Sequence, residues 1–187
     1  MDEPSSEEGL EALIERHLPG LRAYVRLRMG PELRARESAS DLVQSTCREV
    51  LQHAGRFRHG GETGFRHWLY TTAQRKVANR VEYYRAGKRD AAMEVAPGGE
   101  ESLAALYQTI STPSRGLMTR ERIQEIEQAF DGLSEPHREV ILLARIVGLG
   151  HAQVARTMGR SEQATRSLLH RALAELADRL ESTSGEI

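Results

Sequence analysis

One stretch constrains the fold of this 187-residue chain more than any other. It runs from Gly148 to Leu180, GLGHAQVARTMGRSEQATRSLLHRALAELADRL, and has two helical periods meeting at a glycine turn. Ala152, Val154, Ala155 and Met158 give a short apolar stripe that ends at Gly159, the residue type best suited to the left-handed conformation that closes a helix. Arg160 and Ser161 make the turn. The Ser161 hydroxyl is placed to cap the next helix, with Glu162 in the first turn, where the helix dipole favours a carboxylate. That helix carries Ala164, Leu168, Leu169, Ala172, Leu173, Leu176 and Leu180 on one side and Gln163, Arg166, Ser167, His170 and Arg171 on the other. The pattern fits a DNA-reading helix-turn-helix, whose second helix sets its N-terminal residues against base edges in the major groove. Two packed amphipathic helices of any bundle would show it too.

The remaining sequence is written in the same helical grammar. Ala, Leu, Arg and Glu dominate, aromatic residues make up only 5%, and no segment alternates like a strand. The expectation is an all-α protein of two small helical domains, an N-terminal bundle and a C-terminal helix-turn-helix unit. The formal charge of −1 conceals segregation. MDEPSSEEGLEALIE and DAAMEVAPGGEE are acidic, whereas RKVANRVEYYRAGKR and the candidate recognition helix are basic. Charge placement, not its sum, marks a nucleic-acid binder.

Several classes fall away. A single cysteine, Cys47, excludes an intramolecular disulfide and a multi-Cys zinc site, and His53, His59 and His67 have no compact ligand spacing. No cofactor or metal is expected. There is no membrane-spanning apolar run and no signal peptide, so a cytoplasmic protein without membrane attachment is expected. No nucleophile–base pair, carboxylate pair or phosphate cradle stands out, which argues for a binding protein and not an enzyme.

Along the chain, Leu10, Leu13, Ile14, His17, Leu18, Leu21, Tyr24 and Val25 form a helical stripe that Pro19 is expected to kink or split. A loop follows over MGPELRARES, and Ser40 is the expected cap of the next helix. In that helix Leu42, Val43, Thr46, Cys47, Val50 and Leu51 are assigned inward, with Asp41, Gln44, Ser45 and Arg48 outside. Gly55 to Gly64 reads as a basic, glycine-rich loop lacking P-loop spacing. Phe65, Trp68, Leu69, Thr72, Ala73, Val77, Val81 and Tyr84 form the longest apolar stripe, on a helix that ends in Arg80, Tyr83, Tyr84, Arg85, Lys88 and Arg89. Rings interleaved with cations suit partly opened nucleic acid, the rings stacking on bases and the cations meeting phosphates. A solvated basic helix tip would look the same. Periodicity fails between Asp90 and Ser111, which places a linker over 91–111 between domains at 1–90 and 112–187. Fully extended at about 3.3–3.6 Å per residue, that linker would reach roughly 70 Å. Helices are expected from Thr112 and Pro113 to about Phe130, and from Ser134 and Pro136 to Gly148. The second of these carries Val140, Ile141, Leu143, Ala144 and Val147 as the core beneath the helix-turn-helix.

Taken in order, these segments resemble the ECF (extracytoplasmic-function) type of bacterial RNA polymerase sigma factor, over nearly the whole chain. DLVQSTCREVL is similar to the family's DLVQxTFLxxW helix, and FRHWLYTTAQRKVANRVEYYRAGKRD to its FRxWLxxIAxNxxxDxxR segment. LSEPHREVILLARIVGLGHAQVARTMGRSEQATRSLLHRALAEL is similar to its C-terminal LPxxxRevxxLrxxxGlsxxEIAxxlGxsxgTVksrLhRAxxxL. The resemblance implies a non-enzymatic promoter-specificity subunit. Asp41, Gln44 and Arg48 would dock on the clamp helices of the core polymerase β′ subunit. Arg56 and Arg58, in a loop reaching Thr63, would help form a pocket for a flipped base of the minus-ten element of promoter DNA. Arg75, Lys76, Asn79, Arg80, Tyr83, Arg85 and Lys88 would contact that element and its upstream edge, and capture of the unstacked base would offset a few kcal/mol of unpairing. Ser161, Glu162, Gln163, Thr165, Arg166, Ser167, His170 and Arg171 would read the minus-thirty-five element. The resemblance also admits an anti-sigma factor as a partner.

Three departures stand out. Asn79 replaces the family's usual Asp, Gln163-Ala164-Thr165 replaces Gly-Thr-Val at the entry to the recognition helix, and Cys47 replaces a bulky aromatic, for which Trp68 or Phe57 is the expected compensation. The other function the residues allow is a helix-turn-helix regulator that binds duplex DNA without polymerase.

Overall fold

A computed structural model describes residues 6–56, 61–86 and 120–184, and the chain divides into two compact units, Met1–Gly98 and Gly99–Ile187. The described residues are helical, with no strand among them.

In the first unit α1 spans Ser6–Arg34, α2 Ala39–Gln52 and α3 Gly61–Arg85, with a single 3-10 turn at Ala54–Arg56 between the last two. Each helix packs on the other two. The core holds Leu21, Tyr24, Val25 and Leu27 of α1, Val50 of α2, and Phe65, Leu69 and Ala73 of α3. Tyr24 meets Tyr70 edge-on at 5.0 Å. Each large side chain so buried contributes about 1.5–3 kcal/mol.

That burial explains the first departure from the sequence expectation. Pro19 lies inside α1 and the helix continues through it. A mid-helix proline costs about 3 kcal/mol, and α1 is anchored on both sides of it, by buried Leu10 and Ile14 before and Leu21 and Tyr24 after. The break falls instead at Gly30 (φ 68°, ψ 169°). Only glycine takes that positive φ cheaply, and the extended ψ is what a residue preceding Pro31 requires. Pro31 then opens a last helical turn within what the sequence suggests is loop. The cap of α2 is likewise Ser38, not Ser40: its hydroxyl accepts the Asp41 N–H at 3.3 Å, and Ser40 is already helical. The expected loop over 55–64 is shorter than its glycines suggest: α3 already begins at Gly61, where Phe65 is fully buried in the bundle and Glu62 reaches Arg16 of α1 at 2.9 Å.

In the second unit α4 spans Arg120–Asp131 and α5 Glu135–Ile141, running into a π-turn at Leu142–Ile146. Two further helices follow, α6 at His151–Thr157 and α7 at Glu162–Ser184. Helices α4, α5 and α6 all pack on α7. Ile126, Phe130, Val140, Ile141, Leu142, Val154, Ala172 and Leu176 are its most buried apolar residues. His137 Nδ1 lies 2.6 Å from Glu175 Oε2, tying α5 to α7. The expected linker over 91–111 and the helix start at Thr112 and Pro113 lie outside the described residues. Among the described residues no helix is long and apolar enough to cross a membrane.

Candidate nucleic-acid interface

The turn between α6 and α7 is built by local hydrogen bonding. Gly159 has φ 62°. On either side of it the Gly159 N–H donates to the Arg156 carbonyl at 3.3 Å and the Arg160 N–H to the Ala155 carbonyl at 2.9 Å. These are the paired bonds of a Schellman motif, which satisfies carbonyls that a helix end leaves orphaned. Two residues later the Ser161 hydroxyl accepts the Ala164 N–H at 3.2 Å and starts α7. The result is a short, fully bonded turn that leaves the first turns of α7 exposed.

The side chains of the cap Ser161 and of Glu162, Gln163, Arg166, Ser167, His170 and Arg171 on α7 are all exposed. Arg166 Nη2 donates to Glu162 Oε2 at 3.2 Å, one turn away, and the Arg171 Nε–H donates to the Ser167 carbonyl at 3.3 Å. Thr165 departs from its expected place. Its side chain is 0% exposed and its hydroxyl donates to the Ser161 carbonyl at 2.9 Å, so it belongs to the helix–helix packing and does not face a groove. Ala164, expected inward, is exposed in its stead. The two positions are one residue apart, about 100° around the helix, and packing of α7 within its unit settles which of them turns in.

In the first unit the cations of α3 stand on an acidic framework that local spacing does not reveal. Lys76 Nζ lies 2.8 Å from Glu49 Oε2 of α2 and donates to Ser45 Oγ at 3.0 Å, and Arg75 pairs with the same carboxylate. The Lys76 hydrogen bond holds the Glu49 carboxyl below its ordinary pKa, against the opposing effect of burial. Arg80 Nε lies 3.2 Å from Glu37 Oε1, and Arg80 also lies over the Tyr83 ring at 5.9 Å. Asn79, Tyr83 and Arg85 are exposed. Arg75, Lys76, Asn79, Arg80, Tyr83 and Arg85 are thus all carried by α3, while Arg58, Lys88 and the side chain of Arg56 lie outside the described residues. The partner carboxylates were missed in the sequence because they stand 26 and more positions away.

Asp41, Gln44 and Arg48 are exposed together on α2, three and four residues apart. Leu51, expected inward, continues the same face and is 43% exposed. Cys47 is half-buried, and burial raises the pKa of its thiol, so it is a packing residue and a poor nucleophile. Trp68 packs edge-on against Phe65, ring centres 6.5 Å apart, while Phe57 lies outside the described residues. Among the described residues no group of three His, Cys, Asp or Glu side chains could hold a metal ion.

Comparison with known proteins agrees with this layout. Residues 13–89 match the Sigma-70 region 2 family and residues 123–176 the Sigma-70 region 4 family. The ECF RNA polymerase sigma factor SigD of Mycobacterium tuberculosis (strain ATCC 25618 / H37Rv) is 28% identical over 171 residues, covering 91% of this chain and 76% of that protein. The RNA polymerase sigma factor CarQ of Myxococcus xanthus is 25% identical over 180 residues, covering 94% and 91%. The fold is that of CnrH, solved in complex with the cytosolic domain of CnrY, with a TM-score of 0.57 at 20% identity over 95% of this chain and 93% of that one. A three-helix unit with a basic face on α3, followed by a helix-turn-helix unit, is the plan of a sigma-70 family factor, and the chain belongs to that family. Within it the chain is an RNA polymerase sigma factor of the ECF type, directing promoter-specific transcription.

Proposed function

We propose that this protein divides promoter recognition between its two units, with 1–90 serving the polymerase and the minus-ten element, 112–187 the minus-thirty-five element, and 91–111 linking them. The observation that carries the proposal is the Schellman turn and Ser161 cap, which leave Gln163, Arg166, Ser167 and His170 exposed on the first turns of α7. Arg166 is the strongest candidate for direct readout, since an arginine fork matches the acceptors of guanine in the major groove. Ala164 takes the place first given to Thr165, and its methyl group suits apolar contact with thymine.

On α3, Arg75, Lys76, Asn79, Arg80, Tyr83 and Arg85 meet the minus-ten element and its upstream edge, Arg56 and Arg58 line the flipped-base pocket, and Lys88 extends the phosphate track. On α2, Asp41, Gln44 and Arg48 dock on the β′ clamp helices of core polymerase. The mechanism is binding throughout: capture of an unstacked base offsets the few kcal/mol needed to unpair it. An anti-sigma factor is a further partner, a reading supported by the likeness of fold to CnrH, which was solved bound to the CnrY cytosolic domain.

Reconstitution with core polymerase and mapping of transcript starts tests the proposal. Promoter-dependent initiation above core alone is expected, and Gln44→Ala or Arg48→Ala should weaken core binding without changing the helical content. Tight binding to duplex DNA with no association with core would instead identify a free-standing helix-turn-helix regulator.

A further inference from the structure

An anion half-buried beside a face meant for a polyanion needs an explanation, and Glu37 is such an anion. It follows α1 and directly precedes the α2 cap, Ser38. Its side chain is 14% exposed, whereas that of its partner Arg80 is 46% exposed. Glu37 Oε1 accepts the Tyr84 hydroxyl at 3.0 Å and lies 3.2 Å from Arg80 Nε. The neighbouring Arg36 guanidinium lies 5.5 Å from the centre of the same Tyr84 ring.

Both partners of Glu37 support one further side chain, Tyr83. Arg80 lies over the Tyr83 ring at 5.9 Å, and Tyr84 meets it edge-on, ring centres 5.3 Å apart at 88°. Tyr83 is 36% exposed. A carboxylate at this position weakens the attraction of α3 for phosphate. It also removes rotamer freedom from a long arginine and ties down a tyrosine, so that the ring between them is held ready.

We infer that Glu37 is a positioning residue for promoter opening: by fixing Arg80 and Tyr84 it presents the Tyr83 ring as a stacking surface for an unpaired DNA base. The inference rests on the proposed role of α3 at the minus-ten element. Stacking of a base on an exposed aromatic ring, with arginine alongside, is a sequence-tolerant way to hold single-stranded DNA. Glu37 is half-buried and acts through its two partners, Arg80 and Tyr84.

The test uses the full chain with core polymerase on a promoter carrying 2-aminopurine in the minus-ten non-template strand, read by the rate of fluorescence rise. Glu37→Gln is expected to slow opening about tenfold, within the range of coupling found in a shared ion-pair network, with affinity for core unchanged. In a background carrying both Arg80→Ala and Tyr84→Phe the same substitution should add little, because its effect passes through those two partners. Faster opening, or tighter binding of non-specific single-stranded DNA, would make Glu37 a mere neutralising charge and overturn the inference. Additive losses would do the same. Should Glu37→Gln lower the thermal midpoint enough to reduce core binding, Tyr84→Phe, which keeps the ring and removes the hydroxyl, takes its place, and unchanged opening in that variant overturns the inference. Normal opening in Glu37→Gln alongside slow opening in Arg80→Ala defeats the role of Glu37 and leaves the role of α3 intact, whereas normal opening in Arg80→Ala defeats both.

Discussion

Lys76 Nζ on α3 lies 2.8 Å from Glu49 Oε2 on α2, and Arg75 pairs with the same carboxylate. Two cations proposed for DNA are therefore held by an acid of the neighbouring helix. Glu49→Gln should lower the stability of the first unit by about 1 kcal/mol or less, the scale of a partly solvated ion pair, and should raise affinity for non-specific duplex DNA by releasing both cations. Because the folded Glu49 carboxyl lies below its ordinary 4.5, its contribution is fully present above pH 4.5 and is lost as pH falls through the folded value. Chemical denaturation of wild type and variant across that range, together with salt-dependent DNA binding, checks both halves.

A second pH effect lies at the other end of α3. His17 stacks near Phe65 at 5.8 Å and its Nε2 lies 3.2 Å from Glu62 Oε1. Burial lowers its pKa below 6.5, outweighing the carboxylate, and Arg66 adds to the lowering. The unfolded chain then takes up the proton first, so stability is fully present above 6.5 and is lost as the pH falls from there through the lowered folded value. His17→Phe keeps a ring against Phe65 and should flatten that part of the profile, read as the thermal midpoint against pH.

Gly159→Ala tests the turn itself. There is open space for the added methyl group, so the cost is conformational: about 1–2 kcal/mol for a left-handed residue with a side chain. The midpoint of the second unit should fall by roughly 5 °C or more, with minus-thirty-five binding weakened as the cap loosens. A shift below 1 °C would mean that the turn tolerates another conformation.

Thr165 and Arg166 are adjacent and should behave oppositely. Thr165→Val removes a buried hydroxyl that bonds the Ser161 carbonyl and should cost about 1 kcal/mol of stability without changing which minus-thirty-five sequences are preferred. Arg166→Ala should leave stability nearly unaltered, since its partner Glu162 is an exposed i,i+4 residue. It should relax base preference by about 1–3 kcal/mol at one position. Selection from randomised minus-thirty-five duplexes separates the two.

The local grammar of the sequence by itself determined the helical class, the placement of a helix-turn-helix at Gly148 to Leu180, the Gly159 stop and the Ser161 cap. Each depends on residues within a few positions of one another, and a cap or a Schellman bond spans no more than six residues. Tertiary structure decided the rest. It carried α1 through Pro19 because burial on both flanks outweighs the lost helical bond, and it put the break at Gly30, where pre-proline sterics and glycine's freedom coincide. It turned Thr165 in and Ala164 out, since a helix's rotation about its own axis is set by what it packs against. It also brought Glu37 and Glu49 to the cations of α3, 26 to 43 residues further along the chain. No periodicity encodes such pairs, because long-range contacts follow from how helices dock and not from the spacing within any one of them.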